Sequence, residues 1–263
     1  MKIYLDAGHG GSDPGAAGNG LQEKEVVLDL AIRIRRLLYN YPQATVKLSR
    51  TTDVTKSLRA RTNEANSWGA DIFLSLHCNA FNGRARGYED FVYNKLPRGA
   101  ATRSYQVTLH EKVRRAIGIP NRGMKQANFH VLRESNMPAI LTENGFIDHP
   151  EDAKLMKQTA WREKVAAAHV DGLVEIFKLK KAVSPSKGRY QLIAGSFAKQ
   201  SNAKARQVLL TTRQIPATVK QVSVNGKTMH RVIIGAYSSR IIAENKRKQI
   251  LQLGIETFIL RDN

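Results

Sequence analysis

Histidine and glutamate recur in this chain where apolar runs give out. His9 stands inside Gly8-His9-Gly10-Gly11, directly after Lys2-Ile3-Tyr4-Leu5-Asp6-Ala7. His77 closes Asp71-Ile72-Phe73-Leu74-Ser75-Leu76, and Glu143 follows Ala139-Ile140-Leu141-Thr142. Glu23 comes shortly after the glycine-rich stretch, where a helical pattern begins. Two neutral imidazoles and one carboxylate are the donor set of a hydrolytic zinc site whose fourth position is left to water. Such an ion lowers the pKa of that water towards ~7, and a further carboxylate can carry its proton. With two glutamates available, one ligates and the other acts as base. The spacing is not HExxH, so no generic zinc motif decides the matter.

These residues need strands that end at one rim. Residues 2–8 read as a buried strand, 44–50 as a second, 71–79 as one covered on both faces, and 87–93 as another. Short strands are expected at 129–132 and 138–142. Val26, Val27, Leu30, Ile34, Leu37 and Leu38 mark an amphipathic helix over 23–41. Further helices are expected over 57–68, 101–117, 151–156 and 160–179. Alternation of this kind predicts an α/β domain with a twisted, mostly parallel sheet flanked by helices. In such sheets ligands bind outside the carboxyl ends of the strands, which is where His9, His77 and Glu143 fall. The glycines at 8, 10 and 11 allow positive φ and a close backbone approach there. They do not form a phosphate loop, because Gly-Lys-Ser/Thr is absent.

Residues 180–188 are polar and aperiodic and read as a linker. Beyond them Arg189-Tyr-Gln-Leu-Ile-Ala-Gly-Ser-Phe197 aligns with Met229-His-Arg-Val-Ile-Ile-Gly-Ala-Tyr237 at a period of 40 residues. Two β-α-β units predict a small ferredoxin-like βαββαβ domain over 189–263, after a first domain over 1–179.

The chain carries 42 Lys and Arg against 22 Asp and Glu, a net charge of +20, and the excess is denser beyond residue 181. A polyanionic partner is expected: nucleic acid, anionic lipid or a cell-wall polymer. No run of eighteen apolar residues predicts a membrane span. One cysteine, Cys78, excludes an internal disulfide framework. Packing or surface roles are expected for Cys78, His110, His149 and His169. Asn79, on the same strand face as His77, Arg50 at a strand's end, and His130 are candidate substrate contacts. An Arg50–Asp53 pair is the structural alternative for Arg50.

The motifs Asp6-Ala-Gly-His-Gly-Gly-Ser-Asp-Pro-Gly-Ala16, Gly20-Leu-Gln-Glu-Lys24, Ser49-Arg50 with Asp53, Leu58-Arg-Ala-Arg61, Ser75-Leu-His-Cys-Asn-Ala80 and Leu141-Thr-Glu-Asn-Gly-Phe146 occur in this order. Across residues 1–178 the chain thereby resembles the zinc-dependent N-acetylmuramoyl-L-alanine amidases of the amidase-3 family. The resemblance implies one zinc ion held by His9, Glu23 and His77, with Glu143 as the catalytic glutamate. Glu25 rivals Glu23, but the family ligand directly precedes a lysine, which selects Glu23. It also implies hydrolysis of the amide between the muramic lactyl group and L-alanine. Some relatives carry a blocking helix after the second histidine's strand. Here only residues 81–86 follow, so a site open without an activator is expected.

The tail, over 189–261, resembles the SPOR domain, a module that binds peptidoglycan stripped of its stem peptides. The expected partners are peptidoglycan and anionic wall polymers, not nucleic acid, for which the aromatic-rich strand motif is missing. A monomer is expected. The start of the chain lacks the apolar core of a secretory leader. The expected setting is therefore a mother cell whose lysis releases the enzyme to the wall. A prophage endolysin, a zinc peptidase with a nucleic-acid-binding tail, and a catalytically dead wall-binding protein are the alternatives.

Overall fold

The computed structural model describes residues 1–181, 190–213, 215–251 and 253–261. The chain divides into two compact units, Met1–Leu37 with Ala44–Leu179, and Lys180–Asn263 with Leu38–Gln43. Most of the expected linker, and Arg189, lie outside the described residues.

The first unit runs β1 (Lys2–Ala7), a small hairpin of β2 (Ala17–Gly18) and β3 (Leu21–Gln22), α1 (Glu23–Leu38), β4 (Thr45–Leu48), α2 (Leu58–Trp68), β5 (Ile72–Asn79), β6 (Tyr88–Tyr93), α3 (Ala101–Ala116), β7 (Asn121–Ala127), α4 (His130–Arg133), β8 (Ala139–Phe146), α5 (Pro150–Met156) and α6 (Thr159–Phe177). Six strands form one sheet in the order β4-β1-β5-β8-β6-β7. All neighbours are parallel except β6 and β8, which run antiparallel, so the sheet is mixed. Ile3, Tyr4, Leu5, Ile72, Phe73, Leu74 and Leu76 are fully buried, as strands covered on both faces require. Val26, Val27, Leu30, Ala31 and Ile34 give α1 a buried stripe. Each large side chain there contributes roughly 1.5–3 kcal/mol by leaving water. Ser57 caps α2 by accepting from Ala60 N, and Gly69 ends it in the left-handed region at φ 65°.

One local expectation is corrected, and one strand is not among those expected. Residues 129–132 are not a strand. His130–Arg133 form one helical turn that buries the adjacent Val131 and Leu132 together. Asn121–Ala127 is a strand that has no apolar alternation to announce it, because it is the sheet's edge and packs on one side only.

His110 on α3 and His169 on α6 are internal. His110 Nδ1 lies 2.7 Å from Asp90 Oδ2, both buried. His169 is fully buried, with Nδ1 2.8 Å from Val165 O and Nε2 3.2 Å from Thr142 Oγ1. Burial pushes the His169 imidazole down to about 4. Its unfolded value lies near 6.5. The unfolded chain thus takes up a proton there that the folded chain refuses. The stability His169 holds above pH ~6.5 is lost as pH falls towards 4, by up to roughly 3 kcal/mol. Urea unfolding at pH 7 and 4.5 should show this loss, and His169→Gln should flatten it. An unchanged pH slope in the variant would refute the assignment.

The second unit runs β9 (Tyr190–Phe197), α7 (Gln200–Thr212), β10 (Thr218–Val224), β11 (Lys227–Tyr237), α8 (Arg240–Leu251) and β12 (Phe258–Arg261). Its four strands pair antiparallel in the order β10-β11-β9-β12. Leu192, Ala194, Val232 and Tyr237 from the sheet, with Ala203, Leu210, Ala243 and Ile250 from the helices, form its core. The Phe197 ring lies over Gly195, where a Cβ would come within 2.6 Å of it, and Tyr237 lies over Gly235, where a Cβ would come within 2.8 Å of its hydroxyl oxygen. No helix among the described residues is long and apolar enough to cross a membrane.

Candidate active site

The parallel strands β1, β5 and β8 lie side by side and end at one rim. Gly8 N donates to Leu76 O at the end of β5, which brings the turn after β1 against His77. Glu143 is the register partner of His77 across the β5–β8 pair. The β2–β3 hairpin returns the chain to the same rim, and Glu23 N donates to Ala16 O as α1 begins.

His9, Glu23 and His77 meet there. His9 Nε2 is 3.1 Å from Glu23 Oε2, and His77 Nδ1 is 2.8 Å from Glu23 Oε1. The two imidazoles stand edge to face at 4.9 Å between centroids. One donor atom from each of the three lies within 4.8 Å of the others, the one group of metal-ligating composition among the described residues. Glu23 is buried and also accepts from Ala16 N and Cys78 N. Burial pushes its carboxyl up, but His77 and His9 outweigh this and hold it well below the usual carboxylate range. Burial likewise disfavours the His9 imidazolium, and Glu23 and Asp13 outweigh it. Each imidazole nitrogen needs a proton to face that carboxylate. A divalent cation held between the three would take the place of both protons, so the donor set fits zinc. Glu25, the rival, is exposed.

The backbone of the turn is special at His9 itself, whose φ is 56°, a left-handed value uncommon outside glycine. Gly10 and Gly11 also take positive φ, whereas Gly8 does not. The expectation for Gly8 is therefore corrected. It supplies space, since a Cβ there would lie 2.3 Å from the His77 ring. Gly15 does the same for His9 and Glu23, at 2.6 Å from each.

Two buried arginines hold this turn from below. Arg61 donates to Asp6 Oδ1 (2.6 Å), Ala7 O (2.6 Å) and His9 O (2.7 Å). Arg50 donates to Ala7 O, Gly8 O, Lys24 O and Thr52 O. At 3% exposure, with its donors aimed at carbonyls, Arg50 is part of the scaffold and offers nothing to a substrate. Nor does it pair with Asp53, which takes Lys24 Nζ and Gly11 N instead. His130 is half-buried, its Nε2 3.5 Å from Thr62 Oγ1 on α2, with no contact to the histidine–glutamate group. His149 accepts from Glu151 N and caps α5.

Glu143 stands beside the group with its Oε2 closed off from solvent and without a hydrogen-bond partner. Burial, then the charges of Glu23 and Glu89, raise its carboxyl well above the usual range. A basic carboxylate with an unpartnered buried oxygen next to a metal-binding set can take and return protons. Asn79 donates from Nδ2 to Glu89 Oε1 at 2.8 Å and accepts from Ala80 N. The loop from β5 to β6 holds no helix. Asp148 Oδ2 pins it by accepting from Phe81 N and Gly83 N.

Asp13 and Glu89 are the residues sequence reasoning missed. Asp13 Oδ2 is 2.8 Å from His9 Nδ1, which leaves Nε2 for the centre of the group. Removing that partner in Asp13→Ala is expected to weaken metal binding by about 10–100-fold. Competition against a chromogenic chelator measures this, and an unchanged affinity would leave Asp13 only a loop-holding role.

Residues 3–175 match the N-acetylmuramoyl-L-alanine amidase family known as amidase-3, and residues 186–261 match the SPOR domain family. The sporulation-specific N-acetylmuramoyl-L-alanine amidase of Bacillus subtilis is 49% identical over 204 residues, 77% of this chain and 78% of that one. The endolysin of Bacillus phage SPP1 is 35% identical over 255 residues, 89% and 94% of the two chains. Among solved structures, the N-acetylmuramoyl-L-alanine amidase from Clostridium difficile 630 superposes with a TM-score of 0.65 at 31% identity, covering 67% of this chain and 96% of that one. The catalytic domain of CwlV, the N-acetylmuramoyl-L-alanine amidase of Paenibacillus polymyxa, gives 0.65 at 29% identity, covering 68% and 99%.

Proposed function

The chain belongs to the amidase-3 family of N-acetylmuramoyl-L-alanine amidases, and on that premise we propose that His9, Glu23 and His77 hold one zinc ion and that Glu143 carries the protons of the reaction. The chain is a peptidoglycan amidase with a SPOR domain, acting on the bond between the muramic lactyl group and L-alanine. The observation that carries the assignment is the convergence of the three donors on one point beside Glu143, whose buried Oε2 has no hydrogen-bond partner.

Zinc in such a set supplies Lewis-acid polarisation of the scissile carbonyl and makes water acidic enough to attack at neutral pH. The protein's part begins with Glu23, whose carboxylate fixes both imidazoles. Asp13 keeps His9 in one tautomer and orientation. Glu143 takes the proton from the attacking water and passes it to the L-alanine nitrogen, so that the amine leaves uncharged. Asn79 steadies Glu89 in the row beside Glu143. The loop after β5 is short and holds no blocking helix, which supports activity without an activating partner.

We read residues 1–179 as the catalytic domain, 180–188 as the linker, and 189–263 as a ferredoxin-like wall-binding domain made of two 40-residue repeats. The repeat reading is supported by the matching Gly195–Phe197 and Gly235–Tyr237 contacts. The basic tail suits anionic wall polymers as well as glycan strands. The greater likeness to a sporulation-specific amidase than to the phage endolysin favours work on the mother-cell wall, reached from the cytoplasm at lysis. A monomer suffices for this.

Digestion of purified sacculi tests the reading. New N-terminal L-alanine should appear without new reducing sugar, and the protein should sediment with sacculi. Termini within the stem peptide would make it a peptidase.

A further inference from the structure

We propose that Arg122 and Lys125, anchored on Glu89, form a subsite for a free carboxylate of the stem peptide, one residue beyond the L-alanine. The proposal rests on the amidase reading of the neighbouring rim. His77 on β5, Glu143 on β8 and Glu89 on β6 are successive register partners, so their side chains stand in one row across the sheet. Strands lie about 4.8 Å apart, which puts Glu89 one strand width from Glu143. From the edge strand β7, Arg122 Nε (2.7 Å) and Lys125 Nζ both reach back to Glu89 Oε2.

The charge count at this point is uneven. Glu89 is a buried carboxylate that needs one cation, and it has two. Among the other buried carboxylates of this unit, Asp6 and Asp152 each pair with a single arginine, Arg61 and Arg86, Asp90 pairs with His110, and Glu23 alone also faces two basic groups, the histidines of the candidate metal set. The surplus cation is also accessible, with about a third of each side chain open: 34% for Arg122 and 38% for Lys125. The Arg122 guanidinium lies 4.8 Å over the Phe146 ring, which fixes its plane. Only Nε is spent on Glu89, and among the described residues its two Nη groups donate to no protein atom. A planar fork held in place with free donors fits a carboxylate, and at the end of a catalytic row it fits one on the substrate.

The substrate has such a group at the right reach. In peptidoglycan the residue after L-alanine is an acidic residue linked through its side chain, which leaves its α-carboxyl free or amidated. That carboxyl lies roughly 6 Å from the scissile nitrogen, one 3.8 Å Cα step and a carboxyl bond further on. One strand width, about 4.8 Å, separates Glu143 from Glu89 across the sheet, a comparable span, and the two cations gather at Glu89.

The experiment uses two soluble muropeptides that differ only in this group, free acid or amide. The unmodified enzyme should show about a tenfold lower KM for the acid, and Arg122→Ala/Lys125→Ala should bring the ratio close to one. Arg122→Lys should restore part of it. Calorimetric titration with the two released dipeptides, L-alanyl-D-glutamate and its α-amide, reads the same preference without catalysis. An equal KM for both substrates in the unmodified enzyme, or a preference unchanged in the double variant, overturns the subsite. Failure to release an L-alanine terminus from either substrate would count against the amidase reading, and the dipeptide titration would still decide the subsite.

Discussion

Glu143→Gln should lower turnover on sacculi by about 10²–10⁴-fold while leaving zinc content and thermal unfolding at their original values. Glutamine keeps the shape and removes the proton carrier, and general acid–base catalysis contributes about that range. The Oε2 atom that glutamine replaces has no hydrogen-bond partner, so no protein contact is broken by the exchange. Release of N-terminal L-alanine measures the rate, and elemental analysis measures the metal. A variant that retains a tenth of the original rate would remove Glu143 from the mechanism. One that loses its zinc would make Glu143 a ligand.

Glu23→Ala should act through the metal. It takes away a ligand and the one group that both His9 and His77 face, and it leaves Ala16 N and Cys78 N without their acceptor. Breaking a buried charged cluster costs about 3–5 kcal/mol. Zinc should be lost on dialysis, hydrolysis should cease, and the unfolding midpoint of the first unit should fall. Glu25→Gln, two residues on and exposed, should keep both metal and activity. If Glu25 rather than Glu23 governs zinc content, the ligand set is wrong.

The parts of this site that were legible in the sequence are those carried by long apolar runs. β1 from Ile3 to Ala7 and β5 from Ile72 to Leu76 are buried, so their ends could be located, and with them His9 and His77. The clear stripe of α1 marks its first turn, which holds both Glu23 and Glu25, and the resemblance to the amidase-3 family is what selects Glu23. Glu89 was hidden by its neighbour. Glu89 and Asp90 are adjacent on β6 and point to opposite faces, one towards Asn79 and the other to His110. Two acids inside an otherwise apolar strand were the available signal. β7 gave none, since an edge strand needs no second buried face. Arg50 was misjudged for a related reason. A cation at a strand end is open to solvent only if no turn folds over it, and here the turn after β1 presents its carbonyls to the guanidinium. The α4 turn was misread because a run of four apolar and aromatic residues fits either period.

The space that Gly8 leaves for the His77 ring ties two positions 69 residues apart in the chain. With the imidazole in place, any side chain at residue 8 collides with it. Once the ring is gone, alanine at 8 becomes tolerable. Substitutions at the two sites therefore should not add. Gly8→Ala alone should be far more damaging than Gly8→Ala in a background that already carries His77→Ala. In an evolving lineage neither residue can drift first while the enzyme still cuts. The glycine can be released from selection only after the histidine has been abandoned.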